Sequence, residues 1–180
     1  AIDSKCLMPE VCNAAETLLV DAAAADKLPE LAAALTACGV RLKGCERARA
    51  LVPSMEPARQ EDWETEYLDL VMSVRVVDGV EDAVTHINRF GSHHTDTIVS
   101  EDTGAAGKFT GGVDSAVVLV NASTMFCDGE TLNMGAEIGI STDKLHARGP
   151  MGLRELTSYK FVISGEGQVM GDPDKLVRKT

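Results

Sequence analysis

With 180 residues the chain is long enough for one well-packed domain and short for two. Apolar residues (44%) and charged residues (25%) stand in ordinary globular proportion, and a domain of this size buries roughly 70% of its unfolded surface without a staple or a metal. The formal charge of −11 repels phosphate backbones and anionic lipid, which argues against nucleic acid as a partner.

The N-terminus opens on Asp3, Lys5 and Pro9 with no basic-then-apolar leader. It also lacks an initiator methionine, which suggests a processed chain or an excised fragment. Residues 15–20 read as a short buried strand with Asp21 as a turn or cap. Residues 22–38 form an expected helix, with Leu28, Leu31, Leu35 and Cys38 at helical spacing and Gly39 placed as its C-terminal cap. A brief strand over 40–42 and a short helix over 45–51 follow, then an irregular connection through Pro53, Pro57 and the acidic run 61–66. Residues 68–77 alternate and are β-branched, so they read as a strand. Asp78-Gly79 makes a turn into an amphipathic helix over 80–90.

Strands over 95–99 and 116–120 flank a weak helix over 103–110. The apolar run 116–120 reads as a doubly buried strand and falls far short of a membrane span. Residues 121–152 read as a long functional loop, residues 158–163 as a closing strand, and the tail beyond Gly165 as loose. Strands alternating with helices at this spacing argue for α/β architecture, a parallel-type sheet flanked by helices.

Five cysteines (Cys6, Cys12, Cys38, Cys45, Cys127) are an odd number with no CxxC spacing. Reduced thiols in a cytosol-like compartment are the simplest reading, which gives a cytoplasmic expectation. Cys12 lies on a loop just before the first strand, where a thiol can meet solvent and backbone N–H groups. A buried structural cysteine is the alternative there. His93-His94 next to Asp96 tempts a metal or Ser/His/Asp reading, but adjacent histidines point different ways and nothing at ligand spacing completes a metal site.

The segments PEVCNAAETLLV, ETEYLDL, VEDAVTHINRFGSHHTDTIV, NAST with FCDG, and GAEIGISTDKLHARGPMGL follow one another in a specific order. Together they resemble the C-terminal catalytic part of γ-glutamyl phosphate reductase, a branch of the aldehyde dehydrogenase superfamily, and the reductase half of Δ1-pyrroline-5-carboxylate synthase. The resemblance implies an aldehyde dehydrogenase-like catalytic domain over residues 1–156, a dimerisation-type strand over 157–164 and a loose tail over 165–180. It further implies that the upstream NADPH-binding domain is absent here, that the isolated chain is inactive, and that the full-length protein is a homo-oligomer. Consistent with this, no GxGxxG follows a strand and opens a helix.

By the same resemblance Cys12 is the catalytic nucleophile of a proline-biosynthesis enzyme acting on the small molecule L-glutamyl 5-phosphate. Its thiolate displaces phosphate to leave a thioester, which NADPH reduces to L-glutamate 5-semialdehyde. Glu66 corresponds to the superfamily glutamate that accepts hydrogen bonds from the nicotinamide ribose. Residues 135–142 resemble the loop that anchors the substrate carboxylate, with Gly139 and Ser141 as donors. Arg148 offers a guanidinium to phosphate or carboxylate, or else braces its own loop. Asn121 opens NAST after a buried strand, where ligands gather at a sheet's carboxyl edge. Two departures from the family pattern, Met125 after NAST and Leu132-Asn133-Met134 before GAE, bear on substrate affinity. Two other readings stay open: another acyl reductase of the superfamily with a changed substrate loop, or a non-catalytic remnant or interaction module.

Overall fold

A computed structural model describes residues 1–135, 138, 147–162 and 164–166. A short helix α1 (Ile2–Cys6) leads through an irregular loop into β1 (Thr17–Asp21). The Asp21 carboxylate accepts the Ala23 N–H at 2.8 Å and so ends the strand in a capped 3-10 turn, Ala22–Lys27. Helix α2 (Leu28–Ala37) begins only there. One continuous helix over 22–38 was expected, but Pro29 near its start has no N–H to donate, and its ring would crowd the carbonyl four residues back. Leu28, Ala32 and Leu35 recur on one face of α2 and are buried in the core.

Gly39 closes α2 as the sequence suggested, at φ +86°. Its N–H donates to Thr36 O at 2.9 Å and the Val40 N–H to Leu35 O at 3.1 Å, the paired bonds of a Schellman turn. A Cβ placed there would sit 3.7 Å from Leu70 Cδ1, an ordinary contact. Gly39→Ala is therefore expected to lower stability by about 1–2 kcal/mol through left-handed backbone strain alone. Urea titration of the variant reads this directly as a fall in midpoint at unchanged slope.

The chain continues through β2 (Arg41–Gly44), α3 (Glu46–Leu51), β3 (Glu56–Pro57), a 3-10 turn at Gln60–Trp63 and β4 (Val71–Val77). These strands form a parallel sheet in the order β1-β4-β2-β3. Every residue of β4 except Arg75 is buried, as a central parallel strand covered on both faces requires. β3 was not anticipated: it is two residues long, and Pro57 is tolerated because the strand lies at the sheet's edge. β4 starts later than expected because Leu68, at φ +53°, breaks the extended chain just before it.

Helix α4 (Val80–Phe90), β5 (Thr95–Ile98), α5 (Thr103–Gly112) and β6 (Val117–Val120) complete the regular structure, followed by a 3-10 turn at Thr124–Phe126. Here the expectation of one sheet needs correction. β5 and β6 pair in parallel with each other, in a separate two-stranded sheet. Helix-to-helix contacts bring that unit in, with Asn88 of α4 donating to Gly112 O and accepting from Asp114 N, both at 2.8 Å. No ladder bonds join β1 to β5, and a cleft opens between them. Residues 158–162 form no strand in the single chain, and Tyr159, Phe161 and Val162 stand 86%, 84% and 77% exposed. Among the described residues no helix is long and apolar enough to cross a membrane.

Candidate active site

The loop between α1 and β1 carries Cys12, and the thiol is exposed. Its flanks are firmly held. Lys5 is wholly buried at the end of α1, and its ammonium donates to Glu16 Oε2 at 2.8 Å, so one ion pair clamps both ends of the loop. The Ala15 N–H donates to Ser4 O at 2.9 Å alongside it. Asn13, next to the thiol, donates from Nδ2 to Cys127 O at 2.9 Å. Ser4 Oγ accepts the Thr124 N–H at 3.2 Å and lies 3.1 Å from Ser123 Oγ. The NAST and FCDG segments, more than a hundred positions downstream, are thus docked directly against the cysteine loop.

Glu16 also organises the segment after Trp63. Besides the Lys5 ammonium, the nearby backbone N–H groups of Tyr67 and Leu68 favour its ionised form. Burial pushes the Glu16 carboxyl up, and the Lys5 ammonium and the two N–H groups only partly offset that push. Behind this segment Tyr67 donates to Asp62 Oδ1 at 3.0 Å and shares a hydrogen bond with Ser73 at 2.8 Å. Lys43 binds Asp62 at 2.6 Å. Burial opposes ionisation of Asp62, but Lys43, the Arg59 N–H and the Tyr67 hydroxyl together hold its carboxyl below the usual range. The Tyr67 phenol is pushed up by burial to about 12, so it stays a donor at any working pH. The exposed Glu66 is presented from the segment this network fixes.

Cys12 and Glu66 line the same cleft, of about 1360 Å³, between β1 and the β5–β6 sheet. Strand β1 forms one wall and β5 the other, with α4 and α5 closing the side. The arrangement places an accessible thiol and an accessible carboxylate on one concave surface with a largely apolar strand wall, the setting of a small-molecule site.

No protein-family model matches the chain. A γ-glutamyl phosphate reductase from Syntrophomonas wolfei is 55% identical over 168 residues, covering 93% of this chain and 40% of that protein. One from a Caulobacter species is 56% identical with the same two coverages. The crystal structure of γ-glutamyl phosphate reductase from Thermotoga maritima matches with a TM-score of 0.89 at 48% identity, over 94% of this chain and 41% of that one. The chain is homologous to γ-glutamyl phosphate reductase. It spans about two-fifths of the length of these relatives.

Within this reductase-like framework the other candidate residues separate. Gly139 and Ser141 lie outside the described residues. Arg148 pairs with Asp114 at 3.0 Å, partly exposed, which ties its loop to the connection between α5 and β6. Asn121 sits at φ +53° and grips Ser100 twice, accepting its N–H at 2.8 Å and donating to its carbonyl at 2.9 Å. Both side chains brace the second sheet in this arrangement. His93 and His94 diverge: Nδ1 of the first is 2.7 Å from Asp114 O, and Nδ1 of the second 2.7 Å from Thr95 Oγ1. Burial pushes the Asp96 carboxyl up, while the Ser115 hydroxyl donates to it.

Sequence reasoning missed the brace. Lys5, Asn13 and Glu16 flank the nucleophile candidate, yet only their tertiary partners reveal what they do. It also passed over His86, which lines the cleft, is 5% exposed, and has no hydrogen-bond partner at either ring nitrogen. The imidazole packs edge-on to Trp63, with centroids 5.4 Å apart, and against Phe90 at 4.8 Å. Burial, aided by the Arg75 charge, pushes its pKa down from 6.5 to about 4. The unfolded chain takes up that proton near 6.5 and the folded one only near 4. Stability from this group is therefore full above pH 6.5 and is lost as pH falls towards 4, by about 3 kcal/mol. His86→Phe should flatten the acid limb in that window and match or exceed wild-type stability at pH 7. Denaturation midpoints at pH 7, 5.5 and 4.5 test it, and an unchanged acid limb would contradict the assignment.

Proposed function

We propose that this chain forms the nucleophile-bearing portion of an NADPH-dependent reductase that converts L-glutamyl 5-phosphate to L-glutamate 5-semialdehyde and phosphate. The observation that carries the reading is the shared cleft of Cys12 and Glu66, in a chain about 55% identical to γ-glutamyl phosphate reductases. In the proposed reaction Cys12 Sγ, as thiolate, attacks the acyl carbon of the substrate. The carbon–oxygen bond to phosphate breaks and its electron pair leaves with the phosphate, so the acyl group is held as a thioester. NADPH, when bound, supplies the hydride that reduces this acyl group to the aldehyde level. Cys12 then departs as thiolate, which sulfur tolerates far better than an alkoxide would.

Glu66 suits the ribose end of such a cofactor, because an exposed carboxylate can accept two vicinal hydroxyl donors. The Lys5–Glu16 clamp and the Asn13–Cys127 bond hold the loop so that the thiol meets the substrate in one orientation. Gly139, Ser141, Arg148 and Asn121 are assigned to the substrate side, with Arg148 exchanging Asp114 for the anionic substrate. Residues 157–164 are assigned to an intersubunit strand, which gives the exposed Tyr159, Phe161 and Val162 a covered place in a homo-oligomer. The native protein should oxidise L-glutamate 5-semialdehyde with NADP only when inorganic phosphate is present. The isolated 180-residue chain should show no turnover in the same assay. Phosphate-independent oxidation by the native protein would sink the acyl phosphate assignment, and robust turnover by the isolated chain would sink its dependence on further sequence.

A further inference from the structure

Helix α4 turns one stripe towards the cleft: Ala83, His86, Ile87 and Phe90, at helical spacing, all line it. Ala83, Ile87 and Phe90 are apolar. The remaining position is a buried imidazole with no hydrogen bond at Nδ1 or Nε2 among the described residues. The two charges that act on it, Arg75 and Asp82, pair with each other at 3.7 Å. Trp63 and Phe90 pack against the ring and give it aromatic contact, not a hydrogen bond. A neutral imidazole still carries one N–H donor and one lone-pair acceptor, and buried polar atoms of this kind are normally satisfied. The cleft is the one open side from which a bound molecule can supply the missing partner.

We propose that His86 is a cofactor-binding residue, one ring nitrogen of which hydrogen-bonds the carboxamide of a nicotinamide seated against Trp63 and Phe90. This rests on the reductase reading, in which Glu66 takes the nicotinamide ribose. Trp63 stands three residues before Glu66 on the same segment, and both line the cleft. A nicotinamide is bonded directly to its ribose, so the aromatic wall that Trp63 shares with His86 is the near surface for that ring. A carboxamide offers both a carbonyl acceptor and an N–H donor, so it suits either tautomer of the imidazole. The phosphate and carboxylate of the proposed substrate are anions and call for a cation. His86 is a poor one, because burial holds it neutral, with a pKa pushed down to about 4. An uncharged amide also costs far less to desolvate against an apolar stripe than either anion does.

The test measures binding without turnover, on the native protein, with two probes. NADPH is followed by the fluorescence of its reduced nicotinamide, and 2′-phospho-ADP-ribose, which lacks the nicotinamide, by calorimetry. His86→Phe keeps an aromatic ring between Trp63 and Phe90 and removes both nitrogens. It should weaken NADPH binding about tenfold and leave 2′-phospho-ADP-ribose binding unchanged. His86→Gln, which restores a donor and an acceptor, should regain part of the lost affinity. Equal NADPH affinity in wild type and His86→Phe would overturn the assignment. Equal weakening of both probes would also overturn it, since that marks a residue that only shapes the cleft. A native protein that binds neither probe would sink the reductase reading itself, and this proposal with it.

Discussion

Cys12→Ala in the native protein is expected to lower acyl reduction by roughly 10⁴-fold or more, because nothing else on the loop can form the thioester. The thiol is exposed, so its truncation removes no core contact and leaves no cavity. Far-ultraviolet circular dichroism and the thermal midpoint should therefore stay at wild-type values while turnover disappears. Cys12→Ser should do little better, since a hydroxyl is a weaker nucleophile at neutral pH and a poorer leaving group. Alkylation gives a second reading of the same assignment. Iodoacetamide should inactivate the native protein by modifying Cys12, and substrate should protect it. A Cys12→Ala protein retaining more than a tenth of wild-type turnover would end the nucleophile assignment.

Glu16→Leu carries the largest expected loss of stability. Lys5 has no exposed surface, and removing its partner leaves an ammonium buried without a counter-charge. Such a break costs about 3–5 kcal/mol, and the lower part of that range applies because the Glu16 side chain is 21% exposed and partly screened. Against the 5–15 kcal/mol typical of a whole domain this is a severe change. Lys5→Met combined with Glu16→Leu should restore much of the loss, because an apolar pair of similar volume has no charge to desolvate. Urea denaturation of the two single variants and the double variant gives the coupling directly. If Glu16→Leu shifts stability by less than 1 kcal/mol, the ion pair is not what anchors the Cys12 loop. The activity of the double variant is informative separately. A well-folded double variant with reduced kcat would show that the Glu16 carboxylate, beside the Tyr67 and Leu68 backbone, positions the Glu66 segment.

Much of the architecture is legible in the chain itself, where local physics and tertiary packing agree. The apolar face of α2, the Gly39 stop, the capping Asp21 and the β-branched run of β4 each follow from side-chain spacing or backbone freedom. The boundaries that shifted did so for local steric reasons that Pro29 and Leu68 now make plain. The ordered motifs around Cys12 and Glu66 were likewise readable, and homologues at about 55% identity bear out the family resemblance they carry.

What the linear pattern could not decide was partnership at long range. Lys5 reads as one more surface lysine until the fold buries it beside Glu16. His86 reads as a polar position of an amphipathic helix until Trp63 and Phe90 enclose it. Arg148 and Asn121 read as ligand donors, and the tertiary structure shows what else they hold, Asp114 and Ser100. By itself, then, the sequence determined most of the order of elements and the α/β class, because these depend on periodicity, turn chemistry and short-range sterics, while the exposure of Cys12 came from the fold. Only the tertiary structure decided that the strands divide into two sheets with a cleft between them, and which buried charges brace the loop. Those outcomes depend on desolvation and on contacts between residues tens of positions apart, which no local pattern encodes.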